Sequence, residues 1–207
     1  LFVAYCVYKF RYREGRVAAY EPENKKLETW LTVLTSLGVV ALLAPGLVVW
    51  FQFVTVPEDA TEVEVVGQQW SWSYRLPGAD GRLGTADNRL ISDDNILGIN
   101  PEDPYGQDDI VIDGDDLHLL VGQPVKMLLR AVDVLHDYYV PEFRAKMDMV
   151  PGMITYFWME PTRVGTYDVM CAELCGVGHG YMSGAVLIDT AEDYALWISE
   201  QMTFAEM

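Results

Sequence analysis

Cys171-Ala172-Glu173-Leu174-Cys175-Gly176-Val177-Gly178-His179-Gly180-Tyr181-Met182 places two thiols, an imidazole and a thioether within twelve residues. Thiolate and thioether sulfur select soft metals, and imidazole is compatible with copper or zinc. A Cys171–Cys175 disulfide would suit an oxidising compartment but leaves His179 and Met182 without a role. A structural zinc site would take the cysteines and histidine and has no particular use for methionine. A mononuclear blue copper site needs one Cys, two His and a weak axial Met, so a cysteine is left over. Two cysteines, two histidines and a methionine suit two copper ions bridged by both thiolates, the reading we adopt.

The second histidine must be His118 or His136, since the chain has three in all. His118 lies within the alternating run Leu117-His118-Leu119-Leu120 and reads as a strand residue. His136 ends Asp133-Val134-Leu135-His136, at a corner after the apolar run Val125–Ala131, and is the choice.

Outward from the motif, residues 57–207 show short alternating runs separated by turn residues, the pattern of an antiparallel β domain. Expected strands are Glu62–Val66, Gln69–Arg75, Leu117–Leu120, Val125–Ala131, Tyr138–Val140, Ile154–Met159, Gly165–Met170 and Gly184–Ile188. Such a set predicts a β-sandwich or Greek-key barrel. Residues 76–116, rich in Gly, Pro, Asn and Asp, read as a long acidic surface insertion too polar to make core. Ala191–Met202 reads as a closing helix capped by Thr190.

The first 56 residues are of another kind. Trp30 to Val56 is a run of 27 residues without a charge. As a helix it would reach roughly 40 Å, enough for a hydrocarbon core of about 30 Å. We assign a transmembrane helix at 29–54, with Pro45 tolerated as membrane helices allow and Trp30 and Trp50 suited to the interfaces. Residues 1–10 are apolar but too short to span, and basic residues follow at once; they read as the end of a truncated first helix, not a signal peptide. Cys6, in that run, reads as a packing residue. The loop 11–28 joins the two into a hairpin, and its basic character places it on the cytoplasmic or matrix side.

Residues 57–207 carry eight basic and 27 acidic side chains, a formal charge of −19. That disfavours nucleic acid as a partner and favours something cationic, with solubility as the plainer alternative. No Cys-x-x-Cys-His occurs, so no covalent haem is expected on this chain.

Asp133-Val-Leu-His136, Lys146-Met-Asp148-Met-Val-Pro151-Gly152 and the Cys-x-Glu-x-Cys-x3-His-x2-Met run together resemble cytochrome c oxidase subunit II. Gln69-Trp70-Ser71-Trp72-Ser73-Tyr74 and Leu27-Glu28-x-x-x-Thr32 extend the likeness over nearly the whole chain. The resemblance implies a membrane-anchored all-β protein: a cupredoxin-like Greek-key domain on a two-helix membrane hairpin. It implies Cys171 and Cys175 bridging both coppers, with His136 and Met182 completing one and His179 and the Glu173 backbone carbonyl the other. The Glu173 carboxylate would then serve a magnesium or manganese ion shared with subunit I, a hard ion that wants oxygen. Trp70 matches the aromatic residue between bound cytochrome c and copper, with Trp72 expected to face the same way in one strand. Glu28 matches the carboxylate at the mouth of a proton pathway, where a plain helix-start acid is the alternative.

The same resemblance implies partners and place: oxidase subunits I and III, cytochrome c as donor, and a lipid membrane. The copper domain would face the bacterial periplasm or the mitochondrial intermembrane space. Electrons would pass from cytochrome c to haem in subunit I for reduction of dioxygen to water with proton translocation. Met153 departs from the arginine many members carry after Pro-Gly. A copper storage or delivery protein, and the corresponding subunit of a nitric oxide reductase, remain as rival readings at this point.

Overall fold

The computed structural model describes residues 1–17, 20 and 22–207; residues 18, 19 and 21 of the basic loop lie outside the described residues. Two compact units result, Leu1–Trp50 and Phe51–Met207.

The first unit is helical. α1 covers Phe2–Phe10 and α2 covers Lys25–Val54. α2 starts earlier than residue 29 because the Asn24 side chain accepts a 3.1 Å hydrogen bond from Leu27 N, capping an otherwise unsatisfied donor. It is 30 residues long, its most apolar 18-residue stretch has mean hydropathy 2.2 with none of it buried, and it is long and apolar enough to cross a membrane. Apolarity on every side of so long a stretch is what a membrane-spanning helix shows.

The second unit is a sandwich of two five-stranded sheets. Its strands are β1 (Thr61–Gln68), β2 (Ser71–Leu76), β3 (Ile110–Asp113), β4 (Leu117–Leu120), β5 (Val125–Ala131), β6 (His136–Val140), β7 (Ala145–Met149), β8 (Thr155–Met159), β9 (Gly165–Cys171) and β10 (Ser183–Asp189). One sheet runs β3-β2-β1-β5-β8 and the other β4-β10-β9-β6-β7. The pairs β1 with β5 and β10 with β4 are parallel, so the chain crosses between sheets and does not simply meander. Alternation sets the core: Leu117 and Leu119 of β4, and Val125, Met127 and Leu129 of β5, point inward onto Val63, Val65, Trp72, Tyr74 and Val186. The closing helix α3 (Ala191–Ser199) has Thr190 accepting from Asp193 N.

Residues 76–116 are not merely surface. Leu97 and Ile99 form a second buried cluster with Val66, on the opposite face of β1 from the main core. Beneath them Arg75 meets Glu64 Oε2 and Asp109 Oδ2, each at 2.8 Å, and Arg130 meets Glu64 Oε1 at 3.0 Å. Arg75 also donates to Gly84 O and Arg130 to Leu97 O, so the two guanidinium groups tie the insertion down through its backbone. These four charges are buried and balanced, which lets a polar segment cover a sheet face. β3 and β7 were not among the expected strands, and the expected strand at Gln69 begins two residues later.

Candidate metal centre

Adjacent strands bring the sulfur and nitrogen donors together. β6 and β9 pair antiparallel, with Tyr138 opposite Cys171, so His136 at the head of β6 and Cys171 at the tail of β9 share one end of a sheet. The loop from Ala172 to Met182 is closed at its base by Cys171 N donating to Met182 O at 3.1 Å and by Ala172 N donating to Asp137 O at 3.0 Å.

Inside the loop, Cys171 Sγ lies 3.7 Å from Cys175 Sγ. Cys171 Sγ also lies 3.9 Å from His136 Nδ1 and 3.2 Å from Glu173 O. Cys175 Sγ lies 3.7 Å from His179 Nδ1 and 3.8 Å from Met182 Sδ. A disulfide needs about 2.05 Å, so both thiols are free. Metal–sulfur bonds of about 2.3 Å give a tetrahedral sulfur–sulfur edge of about 3.8 Å, so the donor spacing fits a soft metal held between them. Six donors converge, two more than one tetrahedral ion takes. The six sequence-predicted ligands, His136, Cys171, Glu173, Cys175, His179 and Met182, are thus gathered in one place.

His136 and Met182 are almost fully buried, as are both cysteines. Burial, then the neighbouring Cys171, pushes the Cys175 thiol up to about 11, so a metal must displace a proton to bind there. His136 is fixed from behind: its Nε2 lies 2.9 Å from Asp133 Oδ1, leaving Nδ1 for the sulfur side. Asp133 also accepts from Gln69 N at 2.8 Å and Val134 N at 2.6 Å. Burial opposes ionisation of Asp133, but the hydrogen bonds from His136 and those two amides hold its carboxyl below its ordinary value. The Asp-x-x-His spacing carries a signal for this role; nothing in the sequence pointed to the Gln69 amide.

Glu173 turns its carbonyl oxygen to Cys171 Sγ at 3.2 Å, and its carboxylate charge acts on Asp137. Asp137 is pushed up to about 6, chiefly by burial, then by a hydrogen bond with Asp148, with the charges of Asp148 and Glu173 adding and Lys146 opposing.

Trp70 and Trp72 do not share a facing. Trp70 precedes β2 in the turn and is 39% exposed, whereas Trp72 is buried edge-on to Tyr138 and His136. The turn at residues 69–70 breaks the two-residue alternation expected of one strand. The Trp70 indole N–H donates to Cys175 O at 3.2 Å, and Gln69 Nε2 donates to the same carbonyl at 2.8 Å. Glu28 sits in the first turn of α2, in the helical unit. His118 instead stacks on Trp197 and meets Asp189 Oδ2 at 2.6 Å.

Residues 61–189 match the sequence family described as cytochrome c oxidase subunit II, periplasmic domain. The alternative cytochrome c oxidase subunit 2 of Bradyrhizobium diazoefficiens is 66% identical over 205 residues, spanning 99% of this chain and 74% of that protein. The cytochrome c oxidase subunit 2 of Cereibacter sphaeroides is 31% identical over 210 residues, spanning 97% of this chain and 69% of that one. Among solved structures, the periplasmic domain of subunit II of cytochrome oxidase of Bradyrhizobium japonicum superposes with a TM-score of 0.51 at 23% identity, covering 70% of this chain and 95% of that one, a likeness of fold.

Proposed function

The chain belongs to the cytochrome c oxidase subunit II family, and on that premise we propose that Cys171, Cys175, His136, His179, Met182 and the Glu173 carbonyl hold two copper ions. The chain is the electron-accepting subunit of a haem-copper oxidase, an oxidoreductase that works with other subunits. The observation that carries the two-copper reading is the thiol pair at 3.7 Å with two further donors beside each sulfur. When bound, a thiolate-bridged copper pair supplies a one-electron acceptor whose geometry changes little between redox states.

The protein's own residues prepare that chemistry. Asp133 fixes the His136 ring, the buried walls exclude water, and the loop base locks the spacing of Cys171 and Met182. Trp70, half in solvent and bonded to Cys175 O, offers the intake for electrons from cytochrome c, and His179 the exit towards a haem in subunit I. The Glu173 carboxylate serves a magnesium or manganese ion at the subunit I boundary, which the action of its charge on Asp137 supports. Glu28 marks the mouth of a proton path. Subunit III completes the complex.

The anchor is α2. The basic loop lies on the cytoplasmic or matrix side, so the acidic domain faces the periplasm or intermembrane space, as its charge and the side of the loop support. Metal analysis of the purified oxidase tests the centre: two coppers assigned to this chain are expected, falling away together in Cys171→Ser. A single copper that survives there would point to storage or delivery instead.

A further inference from the structure

Two glycines of the copper loop lie against Trp70, for different reasons. Gly176 has φ +117, a conformation that favours glycine whatever surrounds it. Gly178 has φ −88 and ψ 3, which other residues adopt. Its need for glycine is one of space. A Cβ at 178 would stand 2.6 Å from Trp70 Cγ and 2.7 Å from Cε3, and closer still to Cδ2. These are atoms of a rigid ring, not the end of a flexible chain. The ring thus lies flat on the backbone at 178, with its N–H reaching Cys175 O on one side. Gln69 Nε2 shares that carbonyl, and it and the Trp70 ring edge stand 3.0 to 3.5 Å from where a Cβ on Gly176 would be, so both side chains lie against the loop there.

We propose that Gly178 is the positioning residue for electron intake: the missing side chain seats the Trp70 ring on the loop and so holds its contact with the residue that bridges the metals. This rests on Trp70 being the intake residue. In the step served, one electron leaves the ferrous haem of the donor cytochrome, which becomes ferric, and the copper pair is reduced by one electron; no bond or proton changes place.

Gly178→Ala has backbone angles compatible with folding and displaces the ring instead. Two measurements test it. In the full chain without metal, tryptophan-labelled for NMR with Trp70→Phe giving the assignment, the Trp70 indole N–H exchanges slowly with solvent in the wild type and much faster in Gly178→Ala. In the assembled oxidase, reduction by cytochrome c slows on the order of tenfold in Gly178→Ala, the scale on which small misplacements are felt. Its copper spectrum is retained. Unchanged exchange in Gly178→Ala, or a cytochrome c rate equal to wild type while Trp70→Ala is slow, overturns the role of Gly178 and leaves Trp70 standing. Wild-type rates in both Gly178→Ala and Trp70→Ala overturn the Trp70 reading and this inference with it. An altered copper spectrum in Gly178→Ala also overturns it, because the loop and not the ring would then have moved.

Discussion

The Asp133 carboxylate and the Trp70 indole reach the same centre from two sides: Asp133 Oδ1 lies 2.9 Å from His136 Nε2, and Trp70 Nε1 lies 3.2 Å from Cys175 O. The link between them is one residue long, since Gln69 gives its backbone N–H to Asp133 and its side-chain amide to Cys175 O. The turn before β2 therefore fastens His136, Cys175 and the exposed indole to one another.

Removing the Asp133 carboxylate leaves the His136 ring free to turn and less basic. Asp133→Ala is expected to weaken copper binding by about 10- to 100-fold, measured by competition with a chelator of known affinity. Asp133→Asn, which keeps an acceptor, should fall between. Equal affinity in all three would mean that the ring is held by packing alone.

The ion network under the insertion predicts a structural effect. Arg75→Met strands Asp109 and one oxygen of Glu64 in a buried place, so a loss of about 3–5 kcal/mol in unfolding free energy is expected from denaturant titration. The change should also expose residues 76–116 to proteolysis, because Arg75 holds Gly84 O.

Asp109 sets a pH dependence of known sign. Burial pushes its carboxyl up to about 6, against the attraction of Arg75, so the folded state holds this proton more tightly than the unfolded chain does. Its contribution to stability is therefore full below about pH 4 and is lost as pH rises through about 6. The stability of the wild type relative to Asp109→Asn should fall across that window, read from denaturant midpoints. A rise would show that Arg75 outweighs burial.

The exposed acids Asp93, Asp94 and Asp115 give the insertion negative charge in solvent. If it steers a basic donor, association of cytochrome c slows steeply with salt, and neutralising these three flattens that slope. Stopped-flow reduction at several ionic strengths checks this, and an unchanged slope would leave these charges a solvating role.

Much of this was legible in the sequence because the donors are local: five of the six lie within Cys171–Met182, where spacing and softness speak directly. The strands rich in alternating Val, Leu and Met were legible for the same reason. β3 was hidden because Ile110-Val111-Ile112 sits among aspartates, and β7 because Lys146 and Asp148 interrupt it at a sheet edge. The balance of Glu64, Arg75, Asp109 and Arg130 brings together residues from four separate segments, so no linear pattern could disclose that the acidic insertion covers a core. Trp70 and Trp72 likewise part company only because the turn, invisible in the alternation, falls between them.

The central claim is that two coppers share the thiolates of Cys171 and Cys175. Electron spin resonance of the oxidised, copper-loaded chain tests it most directly. A shared pair gives one unpaired electron with hyperfine structure from two copper nuclei, lost in Cys175→Ser; hyperfine structure from a single nucleus in the wild type would contradict it.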